Sequence, residues 1–138
     1  MRELTQCRAI GLLGLGLLTL VSCGCGGANR SELDIVPGAD QARAALEKAL
    51  TAWKNGEKCG KVQGDSQNIE VVDKVWKAGG KLAAFEILRA EDKPGPRWFT
   101  VKLTLVGSAE PQEVAYAVLG LDPLWVFRDE DFKKLSGM

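Results

Sequence analysis

The chain of 138 residues contains no histidine. Histidine is the commonest general base at neutral pH and the commonest zinc ligand, so its absence excludes Ser-His-Asp triads and histidine-bound catalytic zinc. The chain also has no excess of charge of either sign, because it contains 18 basic and 18 acidic residues. Nucleic-acid-binding domains carry a basic surplus. We therefore expect no metal, no cofactor and no nucleic acid among the ligands of this protein.

A long hydrophobic run is absent as well. The apolar stretch AIGLLGLGLLTLV covers 13 residues at positions 9–21. As a helix it would span roughly 20 Å, which is short of the ~30 Å hydrocarbon core of a bilayer. The apolar stretch follows a short N-terminal region that contains Arg2 and Arg8, an arrangement typical of an export signal. The sequence predicts a signal peptide over residues 1–22.

The end of this leader carries a four-residue motif, Leu20-Val21-Ser22-Cys23. It resembles the lipobox of bacterial lipoproteins, in which an apolar residue such as Leu stands three positions before the lipid-modified Cys. Cys25 does not fit that pattern, because the residue three positions before it is Ser22. A plain secretory signal without lipid remains the alternative.

The resemblance to lipoproteins implies that Cys23 is the first residue of the mature chain. Its sulfur would carry a diacylglycerol group and its new amino terminus a fatty acyl chain such as palmitate. Two or three chains make membrane attachment long-lived, whereas one makes it marginal. By analogy, Gly24 rather than Asp after the lipidated Cys favours the outer membrane over retention in the inner membrane. We expect a cell-envelope, membrane-anchored location.

The mature chain of 116 residues has 16 basic and 17 acidic side chains, after removal of two arginines and one glutamate with the leader. That length suffices for one domain with a single core. With Cys7 removed and Cys23 lipidated, Cys25 and Cys59 remain in an oxidising compartment where a disulfide is allowed. Cys25 is alternatively an incidental free thiol in a glycine-rich stretch.

Residues 23–38 are predicted to form a flexible tether, and residues 39–138 a single domain. Fifteen flexible residues have a root-mean-square span of roughly 20 Å, so the domain would stay close to the membrane. Asp40 is placed to cap a helix over residues 41–55, which Gly56 would end. Six apolar residues share one stripe at helical spacing and predict a core-facing surface: Ala42, Ala45, Leu46, Ala49, Leu50 and Trp53.

Residues 57–68 have little apolar content and are predicted to be an exposed connection. Strand signals follow in five segments: 69–73, 82–89, 97–106, 114–119 and a short last run at 124–127. Short connections favour antiparallel neighbours over crossover helices. We expect an α+β fold in which one N-terminal helix packs on a curved antiparallel sheet of four to five strands.

The turn VWKAGG and the ending VAYAVLGLDPLWVFRDEDF, in this order of elements, resemble small bacterial lipoproteins with a nuclear transport factor 2-like or cystatin-like domain. The resemblance covers about residues 40–130. It implies a fold rather than a function, because that fold hosts enzymes, ligand binders and interaction domains. Enzymes of the related fold often use a His and Asp pair, which this chain cannot supply.

Four charged residues lie within or beside apolar runs: Asp73, Glu86, Asp122 and Arg128. Glu86 alternates away from the apolar face, the two aspartates stand at strand ends where Asp commonly makes turns, and Arg128 is expected to pair at the surface with Asp129–Asp131. The sequence predicts no catalytic residue.

Trp98 shares one face of its strand with Thr100 and Lys102, opposite the face expected to meet the helix. The first interpretation is an exposed interaction surface. The alternative is that the tail from Phe132 covers Trp98.

Two functional hypotheses follow. The first is a non-enzymatic lipid-anchored envelope protein that binds a protein partner or a second copy of itself and has a filled interior. The second is a small-ligand binder or enzyme with a pocket between helix and sheet that holds Tyr116 and at least one of Asp73 and Asp122.

Overall fold

The computed structural model describes residues 34–137. Its first helix, α1 (Ala39–Lys54), buries seven apolar residues against the sheet: Ala42, Ala45, Leu46, Ala49, Leu50, Ala52 and Trp53. The predicted stripe is thus confirmed as core. Gly56 follows the helix with φ at +86°, a conformation that favours glycine, so the predicted stop is also confirmed.

The start of α1 differs from the prediction. Gly38 is the N-cap residue and makes no side-chain cap, whereas Asp40 lies inside the first turn. The prediction that Asp40 caps the helix is therefore wrong by two residues. Its carboxylate still stabilises the helix, because negative charge in the first turn interacts favourably with the helix dipole.

Six strands form one curled sheet: β1 (Lys61–Gln63), β2 (Asn68–Val72), β3 (Leu82–Glu91), β4 (Arg97–Leu105), β5 (Gln112–Gly120) and β6 (Leu124–Arg128). Their order across the sheet is β1-β2-β6-β5-β4-β3. Strand β6 reverses from β5 and then lies beside β2, with which it runs parallel. The α+β class and the helix on a curved sheet are confirmed.

The predicted strand number and the all-antiparallel pairing are wrong. The segment expected to be an exposed connection contains β1, a three-residue edge strand in which Val62 is buried. The parallel β2–β6 pair joins segments more than 50 residues apart, a contact that the alternation within each strand does not encode.

Between β2 and β3 the chain forms a one-turn helix, α2 (Lys74–Lys77), and then reverses at two glycines. Gly79 has φ at +101°. A Cβ atom on Gly80 would lie 2.9 Å from the carbonyl oxygen of Val75, closer than carbon and oxygen tolerate. Both positions therefore require glycine, and the predicted tight reversal is confirmed.

The face of the sheet opposite α1, called here the outer face, is partly covered by a third helix, α3 (Asp129–Ser136). The sequence pattern predicts no helix in this segment. Three acidic residues occupy its first turn and two lysines its last turn, which suits the helix dipole at both ends. Phe132 of α3 packs on a small outer cluster that includes Trp98 and Phe127.

Residues 34–38 are the part of the predicted tether that the structure describes. The carbonyl oxygen of Ile35 accepts a hydrogen bond from the backbone N–H of Gly120 at 2.8 Å. The carbonyl oxygen of Pro37 accepts one from Arg97 Nε at 2.9 Å. The chain is thus attached to the sheet just before α1 begins. The predicted leader and residues 23–33 lie outside the described residues.

Candidate functional site

Three polar side chains meet inside the fold, on the sheet face that α1 covers. Asp73 continues the inward alternation of β2, and Arg128 continues that of β6. Tyr116 lies opposite Arg128 in the β5–β6 pair. The exposed fraction is 2% for Asp73, 4% for Arg128 and 1% for Tyr116, so all three are buried. We call Asp73, Tyr116 and Arg128 the interior polar cluster.

Asp73 is the hub of this cluster. Its Oδ1 accepts hydrogen bonds from the backbone N–H groups of Val75 at 2.9 Å and Trp76 at 3.2 Å, which caps α2. Its Oδ2 accepts a hydrogen bond of 2.6 Å from the Tyr116 hydroxyl. The turn-forming role predicted for Asp73 is therefore confirmed, but the carboxylate also points inward.

Arg128 is only partly paired. Its Nη1 lies 3.6 Å from Asp73 Oδ2, and its Nε lies 3.9 Å from Glu130 Oε1. Both distances exceed a hydrogen bond. Among the described residues the buried Nε and Nη1 atoms find no hydrogen-bond partner. The predicted surface location of Arg128 is wrong, because the alternation of Leu124 and Val126 extends to it and turns it inward.

The electrostatics of the cluster keep Tyr116 protonated. Burial raises the pKa of the Tyr116 hydroxyl well above its ordinary value, and the negative charge of Asp73 raises it further. The hydroxyl is therefore a hydrogen-bond donor at neutral pH. The three hydrogen bonds to the Asp73 carboxylate join the end of β2 to α2 and to β5.

The other two charged candidates lie elsewhere. Asp122 is exposed, and its Oδ1 accepts a hydrogen bond of 3.3 Å from the backbone N–H of Asn68. Glu86 is exposed on β3 and lies 3.8 Å from Lys102 Nζ on the neighbouring strand. The structure thus brings together Asp73 and Arg128 and separates Glu86 and Asp122 from them.

Trp98 is buried, with 8% of its surface exposed. The ring of Phe132 meets it edge-on with centroids 5.4 Å apart, and Lys93 Nζ lies 4.3 Å from its centroid. The expectation of an exposed contact anchor at Trp98 is wrong, and cover by Phe132 is what occurs. Thr100 is also buried and donates its hydroxyl to Glu91, whereas Lys102 is exposed.

An apolar cleft of about 510 Å³ lies on the outer face, between β2, β6 and α3. We call it the outer cleft. Its wall contains Trp125 and Phe127, whose rings stack with centroids 5.7 Å apart at 13°. Val72, Asp131, Lys134 and Leu135 complete it. The sequence interpretation missed this site, although the alternation of β6 places Trp125 and Phe127 on one face.

Of the three cysteines for which predictions were made, only Cys59 lies within residues 34–137. Cys59 is half-buried, and its Sγ lies 3.6 Å from the carbonyl oxygen of Val71. Burial raises the pKa of the Cys59 thiol, which favours the protonated form over the reactive thiolate. Cys23 and Cys25 lie outside the described residues, so lipidation of Cys23 and a Cys25–Cys59 disulfide stay predictions.

Within residues 34–137, no group of three Cys, Asp or Glu side chains is placed to hold a metal ion. In the same range no helix is both long enough and apolar enough to cross a membrane.

Comparison of the chain with protein-family models, with curated proteins and with solved structures found no match.

Proposed function

We propose that this chain is a lipid-anchored cell-envelope protein with a non-catalytic domain of the nuclear transport factor 2-like or cystatin-like type. In this proposal two copies associate through the outer cleft. The support for anchoring is the motif Leu20-Val21-Ser22-Cys23 after a short apolar leader. The support for the fold type is one helix lying across a curled sheet.

The single observation that carries self-association is the outer cleft. Trp125 is half-buried and Leu135 is 58% exposed, so apolar surface faces water on both sides of the cleft. Grouped apolar surface of this kind on a folded domain marks interaction sites. Aromatic residues in a concave patch are also the side chains that dominate binding energy at interfaces.

The charges on the rim favour a second copy as the occupant. The cleft carries one acidic residue, Asp131, and one basic residue, Lys134. A two-fold axis brings the same patch of both copies together, so an orientation that pairs Lys134 with the partner's Asp131 makes the patch self-complementary, and two-fold dimers are the commonest oligomers. The exposed Leu135 of each copy would then fill the apolar cleft of the other.

The interior of the domain supports a non-catalytic role. The space under α1 is occupied by side chains that are at most 2% exposed, including Leu46, Leu50, Val101 and Tyr116. The Asp73 carboxylate already accepts three hydrogen bonds. Both features leave a substrate little access to the charged groups that chemistry would need.

The dimer is tested by sedimentation equilibrium of the purified mature protein in detergent of matched density. We expect a dimer for the native protein. Leu135→Asp should raise the dissociation constant about 100- to 10,000-fold, because the two-fold dimer buries two copies of this leucine and each contributes roughly 10- to 100-fold. The matched control is Leu121→Asp, because Leu121 is 52% exposed and lies outside the outer cleft. A monomeric native protein, or equal weakening by both variants, would contradict the proposal.

The anchor is tested by metabolic labelling with an alkynyl palmitate analogue. We expect label on the native protein, loss of label in Cys23→Ala and retention in Cys25→Ala. Intact-mass spectrometry of the labelled protein should give a chain that begins at Cys23 and carries added lipid. A mature chain without that added mass would refute lipid anchoring.

A second candidate, a small-ligand binder with its site between helix and sheet, is favoured by one observation. The buried Arg128 has two nitrogen atoms without hydrogen-bond partners among the described residues, and a small anion would satisfy them. A rise in melting temperature with inorganic phosphate that is lost in Arg128→Met would favour this candidate. No rise would leave self-association as the better explanation.

A further inference from the structure

A second cleft, of about 430 Å³, lies where the end of α1 meets the turn after α2. Three lysines stand around it: Lys58, Lys77 and Lys81. One acidic residue, Glu57, also lines it, so the cleft carries a net positive charge of two. We call it the lysine cleft.

These three lysines are exposed and form no ion pair with any carboxylate in residues 34–137. Other lysines of the same domain do form such pairs. Lys48 lies 2.7 Å from Asp65, and Lys133 lies 3.0 Å from Asp129. The three ammonium groups around the lysine cleft are therefore available to an external anion.

Two tryptophans hold the segments that carry these lysines. Trp53 and Trp76 stack with ring centroids 5.5 Å apart. The indole N–H of Trp53 donates to the carbonyl oxygen of Gly80 at 2.7 Å, next to Lys81. The indole N–H of Trp76 donates to the carbonyl oxygen of Glu57 at 2.8 Å, next to Lys58. The backbone of the cleft is thus fixed before any ligand arrives, which lowers the entropic cost of binding.

We propose that the lysine cleft binds phosphate headgroups of anionic lipids in the membrane to which the chain is anchored. This inference rests on the proposed lipid anchor, because a tether with a span of roughly 20 Å keeps the domain that carries the cleft close to the headgroups. Three lysines bind weakly in free solution. Near an anionic surface each lysine adds to the electrostatic attraction. The tether raises the effective concentration of the domain at the membrane, which lowers the entropic cost of binding.

The expected contribution of each lysine is about fivefold in the ratio of membrane-docked to undocked domain. Neutralising all three should therefore lower that ratio roughly 100-fold. Because surface charges are screened within about 3 Å at 1 M salt, high salt should reverse docking of the native domain.

The test uses purified mature protein with vesicles of phosphatidylcholine alone or with 30% phosphatidylglycerol, each with a dansyl-labelled headgroup. Flotation reports attachment, and energy transfer from tryptophan to dansyl reports docking of the domain. We expect flotation with both vesicles and higher energy transfer with phosphatidylglycerol. The variant Lys58→Gln/Lys77→Gln/Lys81→Gln should lose the increase.

The matched control is Lys48→Gln/Lys102→Gln/Lys133→Gln, which removes the same charge from three lysines that already pair with carboxylates. It should keep the increase. Flotation with phosphatidylglycerol vesicles alone would support headgroup binding and refute the anchor. Flotation with both vesicles at equal energy transfer would refute headgroup binding and leave the anchor standing. No flotation, or equal loss in both triple variants, would also refute headgroup binding.

Discussion

Replacing Asp73 with asparagine should destabilise the fold far more than replacing Arg128 with methionine, although the two side chains form one ion pair. The reason is the difference in hydrogen bonding. The carboxylate accepts three hydrogen bonds, one of them the 2.6 Å bond from Tyr116. Two buried nitrogen atoms of Arg128 have no partner among the described residues.

The magnitudes follow from these contacts. Asp73→Asn keeps an oxygen for the two backbone donors but leaves the buried guanidinium with only the exposed Glu130 carboxylate, 3.9 Å from its Nε, as a counter-charge, which costs up to about 3–5 kcal/mol. Arg128→Met removes two unsatisfied donors that each cost about 1–3 kcal/mol, which offsets much of the lost ion pair. We expect Arg128→Met to cost at least about 2 kcal/mol less than Asp73→Asn. The double variant should then be more stable than Asp73→Asn alone.

Equilibrium unfolding in urea, followed by tryptophan fluorescence, gives the four free energies needed for this double-mutant cycle. Thermal unfolding provides a check, since about 1 kcal/mol corresponds to roughly 4–8 °C in a domain of this size. An Arg128→Met variant as unstable as Asp73→Asn would refute the reasoning. So would a double variant less stable than both single ones, because Arg128 would then have stabilising partners beyond Asp73 and Glu130.

Two further predictions concern buried aromatic residues. Tyr116→Phe should cost about 1.5–3 kcal/mol at neutral pH, because it removes a hydrogen bond to a charged acceptor. Folding raises the pKa of Tyr116, so this contribution is present below the ordinary tyrosine pKa of about 10 and declines as pH rises above it, by up to about 1.4 kcal/mol per pH unit. Urea unfolding at pH 8 and 11 should show the difference between native protein and variant shrinking, and a constant difference would contradict the cause given. Trp98→Ala should cost about 3–5 kcal/mol by the same assay, because Trp98 is buried under Phe132; a neutral effect would restore Trp98 as an exposed contact.

Much of the fold could be predicted from local patterns. The stripe of α1 repeats at helical spacing, and each long strand alternates apolar residues on one face. These signals are local, so they identify a helix or a strand but not the elements that pack beside it. The same alternation also predicts that two members of the interior polar cluster point inward. Ile69, Val71 and Asp73 are spaced two residues apart, as are Leu124, Val126 and Arg128, so the sequence alone predicts both inward orientations.

The remaining features depend on contacts between distant segments. β1 has one buried residue, Val62, and exists because β2 lies beside it. The burial of Trp98 depends on α3, whose few apolar residues give a weak periodic signal. The acidic first turn and basic last turn of α3 are nevertheless a helix signal that the sequence carries. The proposed lipid attachment rests on a short sequence motif, so its prediction needs no tertiary contact.

The location of the two proposed surfaces follows from how the interior is filled. Side chains of α1 and the interior polar cluster occupy the space between helix and sheet, and both proposed surfaces lie outside it. The outer cleft and the lysine cleft share no lining residue. Substitutions at sites without shared partners generally act additively. Leu135→Asp should therefore weaken the dimer without changing lipid docking, and Lys58→Gln/Lys77→Gln/Lys81→Gln should weaken lipid docking without changing the dimer. Loss of both properties in either variant would mean that the two surfaces are coupled through the fold, which the separation of their residues argues against.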